Sequence, residues 1–227
     1  MMLYDEEMGL SYLVERDVRM RPLHRLGERR TTLGSDIVPE SLQYSPNGSR
    51  IAYLRRAYGN EFELWLLTAN GLEQNGHRLT GGITSEAFAF SPDGKRIAVV
   101  MRNETSGLPE IRLLDARNGE VEAFFGPGTL SREAWHPSGR FFLLVAEDPS
   151  FDLAETTRPR QLYAALAAAP YTKTQITFTD QGVSGDYAVS REGAWAAVVA
   201  SGHNVPNLLL LELSKLAMGT AAAGEAM

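Results

Sequence analysis

The side chains of this 227-residue chain that could do chemistry are few and scattered. Four histidines are present, His24, His77, His136 and His203, and no two lie within four residues of each other. That spacing gives no local pair of metal ligands. The nearest approach to a nucleophile elbow is Gly182-Val183-Ser184-Gly185-Asp186. It breaks the Gly-x-Ser-x-Gly pattern and reads as a loop between repeat units. No P-loop or dinucleotide glycine fingerprint occurs. The absence of cysteine excludes disulfides, thiolate ligands and cysteine nucleophiles. Carboxylates such as Glu104, Asp115, Glu133, Glu147, Asp148, Asp152 and Glu155 read as surface solvation. A carboxylate pair assembled from distant segments would need the fold to bring it together. The residues therefore predict no catalytic centre, no cofactor and no metal.

Two stretches point to partners instead. Residues 16–30 carry Arg16, Arg19, Arg21, Arg25, Arg29 and Arg30 against Asp17 and Glu28. With Arg55 and Arg56 they could form a patch for an anionic partner, either an acidic protein face or lipid headgroups. The plain alternative is a solvated edge strand whose charges discourage stray pairing. RNA is the poorest fit, because no stacking aromatics are interleaved. The second stretch is the loop 146–161, in which Phe151 and Leu153 could anchor a partner. Overall charge is −6 with a pI near 5.3, which gives no global field for nucleic acid. The N-terminus reads Met-Met-Leu-Tyr-Asp-Glu-Glu and lacks the basic start and apolar run of a secretory signal. The longest apolar runs, 162–170 and 208–211, fall short of the roughly 20 residues of a membrane helix. The expectation is a cytoplasmic protein that does not span a membrane.

The elements that position these residues come from an internal repeat. Tyr-Ser-Pro-Asn-Gly-Ser-Arg-Ile-Ala-Tyr-Leu (44–54), Phe-Ser-Pro-Asp-Gly-Lys-Arg-Ile-Ala-Val-Val (90–100), Trp-His-Pro-Ser-Gly-Arg-Phe-Phe-Leu-Leu-Val (135–145) and Val-Ser-Arg-Glu-Gly-Ala-Trp-Ala-Ala-Val-Val (189–199) align on a turn. The turn glycines Gly48, Gly94, Gly139 and Gly193 are spaced 46, 45 and 54 residues apart. A period near 45 suits a four-stranded propeller blade. Pro46, Pro92 and Pro137 preset φ at the first central turn position. Asn47, Asp93 and Ser138 follow, each able to bond the local backbone. The glycine then takes a left-handed conformation that a side chain would resist. The strand after each turn is apolar at consecutive positions, the pattern of burial on both faces.

The second copy, with Glu63-Leu64-Trp65-Leu66-Leu67 and Arg78-Leu79-Thr80, resembles the TolB-type propeller repeat, also called PD40 or WD-like. That unit runs aromatic-Ser-Pro-Asp-Gly-Lys-x-Ile-Ala, then a strand, then Arg-Leu-Thr. The resemblance covers about residues 36–213, and the fourth copy departs from it by losing Ser-Pro-Asp-Gly. The same repeat builds the propellers of prolyl-oligopeptidase-like peptidases. It implies a fold and leaves activity open, because its letters make turns.

The sequence thus predicts an all-β chain: a small β-propeller of about four to five blades, with four-stranded antiparallel blades and partial blades at both termini. Residues 1–34 form the N-terminal partial blade, with strands expected at 10–18, 21–27 and 29–34. Full blades follow at 36–82, 83–126 and 127–180, then a partial blade at 181–213 and a flexible tail at 214–227. The expected function is a non-catalytic scaffold for other proteins, such as a peripheral subunit of a larger assembly at a membrane surface. Two other readings stand beside it: a propeller enzyme or ligand-binding protein with a central-channel pocket, and a half-propeller that dimerises.

Overall fold

In the computed structural model, residues 35–69, 76–148, 158–201 and 205–216 are described in full, and residues 2–5, 10–16 and 28–34 as strand backbone. The order of elements is β1 (Met2–Asp5), β2 (Leu10–Arg16), β3 (Glu28–Gly34), β4 (Ile37–Tyr44), β5 (Arg50–Arg56), β6 (Phe62–Thr68), β7 (His77–Phe90) and β8 (Arg96–Arg102). It continues with β9 (Pro109–Asp115), β10 (Val121–Phe124), β11 (Phe141–Glu147), β12 (Arg160–Leu166), β13 (Lys173–Gln175), β14 (Val183–Val189), β15 (Trp195–Ala200) and β16 (Asn207–Glu212). A single 3-10 turn, Leu213–Lys215, is the only helical piece among the described residues. All strand pairs are antiparallel neighbours in sequence, as meandering blades require.

The strands form sheets of three, seven, three and three strands. The seven-stranded sheet is two four-stranded blades sharing one long strand. The first half of β7 pairs with β6, as far as Phe62 opposite Ile83. Its second half pairs with β8, from Ile83 opposite Met101 to Phe90 opposite Ile97. One strand is thus the outer strand of the first of these blades and the inner strand of the second. The third blade has β11–β13, and its inner side is represented by isolated bridges Thr129–Val145 and Trp135–Phe142. The fourth blade is β14–β16, without an outer strand among the described residues. No ladder joins β1–β3 to β14–β16 among the described residues.

Three details differ from the sequence expectation. The N-terminal sheet begins with β1, ahead of the first strand expected at 10–18, and the strand expected at 21–27 lies outside the described residues. Gly182–Asp186 is not a loop between units: Val183–Val189 is the inner strand β14. Its glycine disguised it, because Gly185 sits inside a register shift between Val183 and Tyr187 where regular alternation breaks. Finally, the consecutive apolar residues of β15 are not all buried. Ala196 and Val198 are, whereas Ala197 and Val199 are half-buried and Trp195 is exposed.

The core is made between blades. Ala52, Leu54, Leu64 and Leu66 of the first full blade cluster with Ile97, Val99 and Leu114 of the next. Ala98, Val100, Ile111 and Leu113 of that blade in turn cluster with Phe125, Trp135, Phe142 and Leu144. Odd and even residues of a strand therefore face different neighbours, which is why the strands read as continuous apolar runs.

Candidate functional site

Each blade has a turn end, where β4–β5, β7–β8, β11 and β14–β15 reverse at the repeated motif, and an opposite hairpin end. At the turn end one hydrogen-bond pattern occurs four times. The glycine N–H donates to the carbonyl three residues earlier: Gly48 to Ser45, Gly94 to Ser91, Gly139 to His136 and Gly193 to Ser190. All four glycines have φ between 67° and 75°. The third strand of each blade then ties back to the residue after the glycine. Ala69, Ala116, Ala167 and Leu213 donate N–H groups to the carbonyls of Ser49, Lys95, Arg140 and Ala194. The fourth turn keeps this geometry without proline or aspartate, because the backbone conformation requires only the glycine.

The turns also touch across blades. The direction in which Gly94 would carry a Cβ ends 3.5 Å from Pro46 Cδ, and that of Gly139 ends 3.7 Å from Pro92 Cδ. At the fourth turn His136 takes over the proline's place. Its Nε2–H donates to the Gly193 carbonyl at 2.9 Å, and its Nδ1 accepts from the Ser138 N–H at 3.1 Å. The ring stacks on Phe141 at 4.4 Å between centroids. His136 is thus a blade-to-blade fastener.

The inner-strand ladders of the first, second and fourth of these blades are shifted in register at mid-length, and in the third two isolated bridges stand apart from each other. The shifted stretches carry the exposed acids Glu40, Glu86 and Asp186, and Glu133 is exposed between the two bridges of the third blade. Arg132 donates to the Glu40 carbonyl, so the inner strands of the first and third of these blades come within side-chain reach. Among the described residues no three His, Cys, Asp or Glu side chains are grouped to hold a metal ion. Inner strands of neighbouring blades are hydrogen-bonded to each other: Gln43 Nε2 donates to the Phe88 carbonyl at 3.0 Å and Trp135 Nε1 to the Ala89 carbonyl at 3.0 Å. Tyr187 donates to the Leu143 carbonyl and accepts from the Ser131 N–H at 3.1 Å. Burial drives its phenol well above the usual range, against the weaker pull of the Ser131 bond.

The hairpin end differs in character. Tyr58 in the β5–β6 loop is fully exposed, and Leu108 in the β8–β9 loop and Val205 in the β15–β16 loop are exposed as well. The corresponding β11–β12 loop contains Phe151 and Leu153, which lie outside the described residues. Adjacent loops are linked, since Arg102 at the end of β8 pairs with Glu61 beside the β5–β6 loop. Of the arginine-rich segment, Arg19, Arg21 and Arg25 lie outside the described residues, and only the backbones of Arg16, Arg29 and Arg30 are described. Arg55 is engaged: it forms a two-pronged pair with Asp36 at 2.8 and 3.0 Å and lies over the Trp65 ring. Arg56 lies over Phe62. The sequence reading missed Tyr58, Leu108 and Val205. Their signal was a lone apolar residue in an otherwise polar hairpin tip, as in Ala57-Tyr58-Gly59-Asn60-Glu61.

No protein-family model and no curated protein matches the chain. Solved structures do. TolB from Acinetobacter baumannii is similar at 17% identity and TM-score 0.58, over 91% of this chain and 50% of that one. The β-propeller domain of the trilobed protease from Pyrococcus furiosus, described as having an open velcro topology, is similar at 12% identity and TM-score 0.58, over 92% and 69%. Acylaminoacyl peptidase from Pyrococcus horikoshii is similar at 12% identity and TM-score 0.58, over 92% and 35%. The chain thus spans half the length of that TolB. At these identities the likeness is one of fold, a TolB-like β-propeller, in agreement with the repeat resemblance. Among the described residues no helix is long and apolar enough to cross a membrane.

Proposed function

We propose that this TolB-like propeller is a non-catalytic scaffold that binds other proteins through its hairpin end. The supporting observation is the recurrence of exposed apolar side chains at equivalent loops, Tyr58, Leu108 and Val205, on a frame of bonded blades. Isolated exposed apolar residues are ordinary, but placement in corresponding loops of a rigid scaffold favours recognition. Aromatic and aliphatic loop anchors of this kind carry binding energy when a partner desolvates them. Phe151 and Leu153 belong to the same set by their place in the third blade's loop. The arginine-rich segment with Arg16, Arg19, Arg21, Arg25, Arg29 and Arg30 supplies a second, electrostatic contact toward an acidic protein or anionic membrane surface. A cytoplasmic subunit of a larger assembly fits this combination.

The test is affinity capture from the native source with wild type and a Tyr58→Asp/Leu108→Asp variant. The expected result is a specific protein retained by wild type and lost by the variant at unchanged unfolding midpoint. Identical capture by both would overturn the hairpin-end assignment. Turnover of a peptide substrate by purified chain would overturn the non-catalytic reading.

A further inference from the structure

The positions that cover one blade with the next can be matched blade by blade. On the third strand of the first three full blades they are Leu64 and Leu66, Ile111 and Leu113, and Leu162 and Ala164, none more than 1% exposed. The matching pair in the fourth blade is Leu208 and Leu210, opposite Val199 and Ala197. They are 67% and 66% exposed. Among the described residues their strand is also a sheet edge. Elsewhere the outer edges are short: β10 has four residues and a register shift, and β13 has three. By contrast β16 has six residues, Asn-Leu-Leu-Leu-Leu-Glu, in unbroken register. A long, regular, apolar edge is a template for pairing with another chain.

The backbone direction of that edge follows from one bond. The Leu213 N–H donates to the Ala194 carbonyl. Antiparallel pairs alternate between bonded and non-bonded, so Leu211, Leu209 and Asn207 bond toward β15. The peptide groups of Leu208 and Leu210 therefore point outward, away from the sheet.

We propose that β16 pairs antiparallel with β16 of a second copy of this chain, about a two-fold axis at Leu209. Leu208 then stands opposite Leu210 of the second copy, and Leu210 opposite its Leu208. Each of these pairs can exchange two backbone hydrogen bonds, and all four leucines share one face beside Val199 and Ala197. A two-fold antiparallel pair sets each residue against the one equally far on the other side of its centre, and about Leu209 that places leucine opposite leucine. Moving the axis to Leu210 would set Leu208 against Glu212, and a one-residue slip would oppose core-facing to solvent-facing side chains. No charged residue lies within 208–211, so like charges do not oppose the pairing. Head-to-tail stacking is disfavoured, because Ile51, Tyr53 and Leu67, the matching face of the first full blade, are already buried.

The test uses the full chain, which has no cysteine of its own. Sedimentation over a wide concentration range is expected to show a monomer–dimer equilibrium. Leu210→Lys, at an exposed site, removes the dimer while leaving the unfolding midpoint of dilute protein unchanged. Leu209→Cys oxidises to a covalent dimer, because the two positions face each other as a non-bonded pair with Cα atoms about 4.5 Å apart. Leu208→Cys does not, since its copies stand diagonally, about 8 Å apart, beyond disulfide reach. A monomer at all concentrations overturns the proposal. So does a dimer that survives Leu210→Lys, or cross-linking through Leu208→Cys as readily as through Leu209→Cys.

Discussion

Leu113 and Leu210 hold the same place in two blades. Each lies on the third strand, opposite an alanine of the second strand, Ala98 or Ala197. The turns that precede them share one bonding pattern. Yet Leu113 is fully buried and Leu210 is 66% exposed. The difference lies entirely in the neighbour. The second full blade has a blade on either side, whereas the fourth, among the described residues, packs only backward, through Ala196, Val198, Leu209 and Leu211, onto the third. A propeller strand is therefore not buried by its own sheet: burial belongs to the pair of faces, and the last blade keeps the face without the cover.

The sharpest probe is the matched substitution. Leu113→Ala should destabilise the chain by about 2–5 kcal/mol, the usual range for a filled core site. Leu210→Ala in dilute protein should change stability by no more than about 0.5 kcal/mol, as at ordinary surface sites. Urea unfolding midpoints read both, and equal losses would break the comparison. The next effect concerns the side of the fourth blade that is covered. Tyr187→Phe leaves the Ser131 N–H and the Leu143 carbonyl without their shared partner, costing about 1–3 kcal/mol. Because burial raises the Tyr187 phenol, its neutral form favours the folded state. That contribution is complete below about pH 10, where an unfolded tyrosine titrates, and is lost as pH rises further. Stability of the wild type should therefore fall more steeply in alkali than that of Tyr187→Phe, as measured by unfolding at stepped pH.

The turns give smaller effects. Gly48→Ala should cost about 1–2 kcal/mol from the left-handed backbone alone, since a Cβ there meets nothing within 4 Å. Gly193→Ala should cost more, because its Cβ would run into the His136 ring and disturb the bond between blades. Equal thermal shifts for the two would deny His136 its fastening role. The smallest effect is expected from Asp93→Asn. Burial opposes the Asp93 charge, but hydrogen bonds from Ser91 Oγ and the Lys95 N–H outweigh it and hold the carboxyl below its ordinary range. Asn47 accepts the same two bonds in the first turn. At neutral pH the substitution should change stability by less than about 0.5 kcal/mol. A depressed carboxylate stabilises above about pH 4 and loses that contribution as pH falls through its lowered value. Wild type should accordingly lose more than Asp93→Asn in acid, a difference readable in acid unfolding curves.

The repeat made most of the frame legible. Proline, asparagine or aspartate, and glycine at fixed offsets announce a turn whatever surrounds them, because they act on their own backbone. The fourth turn was found from Gly193 alone. What stayed hidden depended on register or on distant packing. Gly182–Asp186 read as a loop because a bulge defeats alternation. A blade boundary was placed after residue 82 because Gly81–Gly82 looks like a break, although β7 runs through it from one blade to the next. Tyr58, Leu108 and Val205 went unremarked because single apolar residues in loops carry no periodic signal. The arginine segment and the pair Phe151 and Leu153 were singled out by composition, which speaks of charge and apolarity but not of position.

By itself the sequence determined the turns, the strand order and the propeller architecture, since these rest on local backbone preferences and a repeating apolar pattern. Only the tertiary structure decided which faces are covered. The run Leu208–Leu211 looks the same in sequence as the buried runs of earlier blades. Whether it is core or surface depends on a neighbouring blade that no local preference encodes. For the same reason His136 could be read as a turn residue from its position, but its bond to Gly193 required two blades, 57 residues apart, to meet.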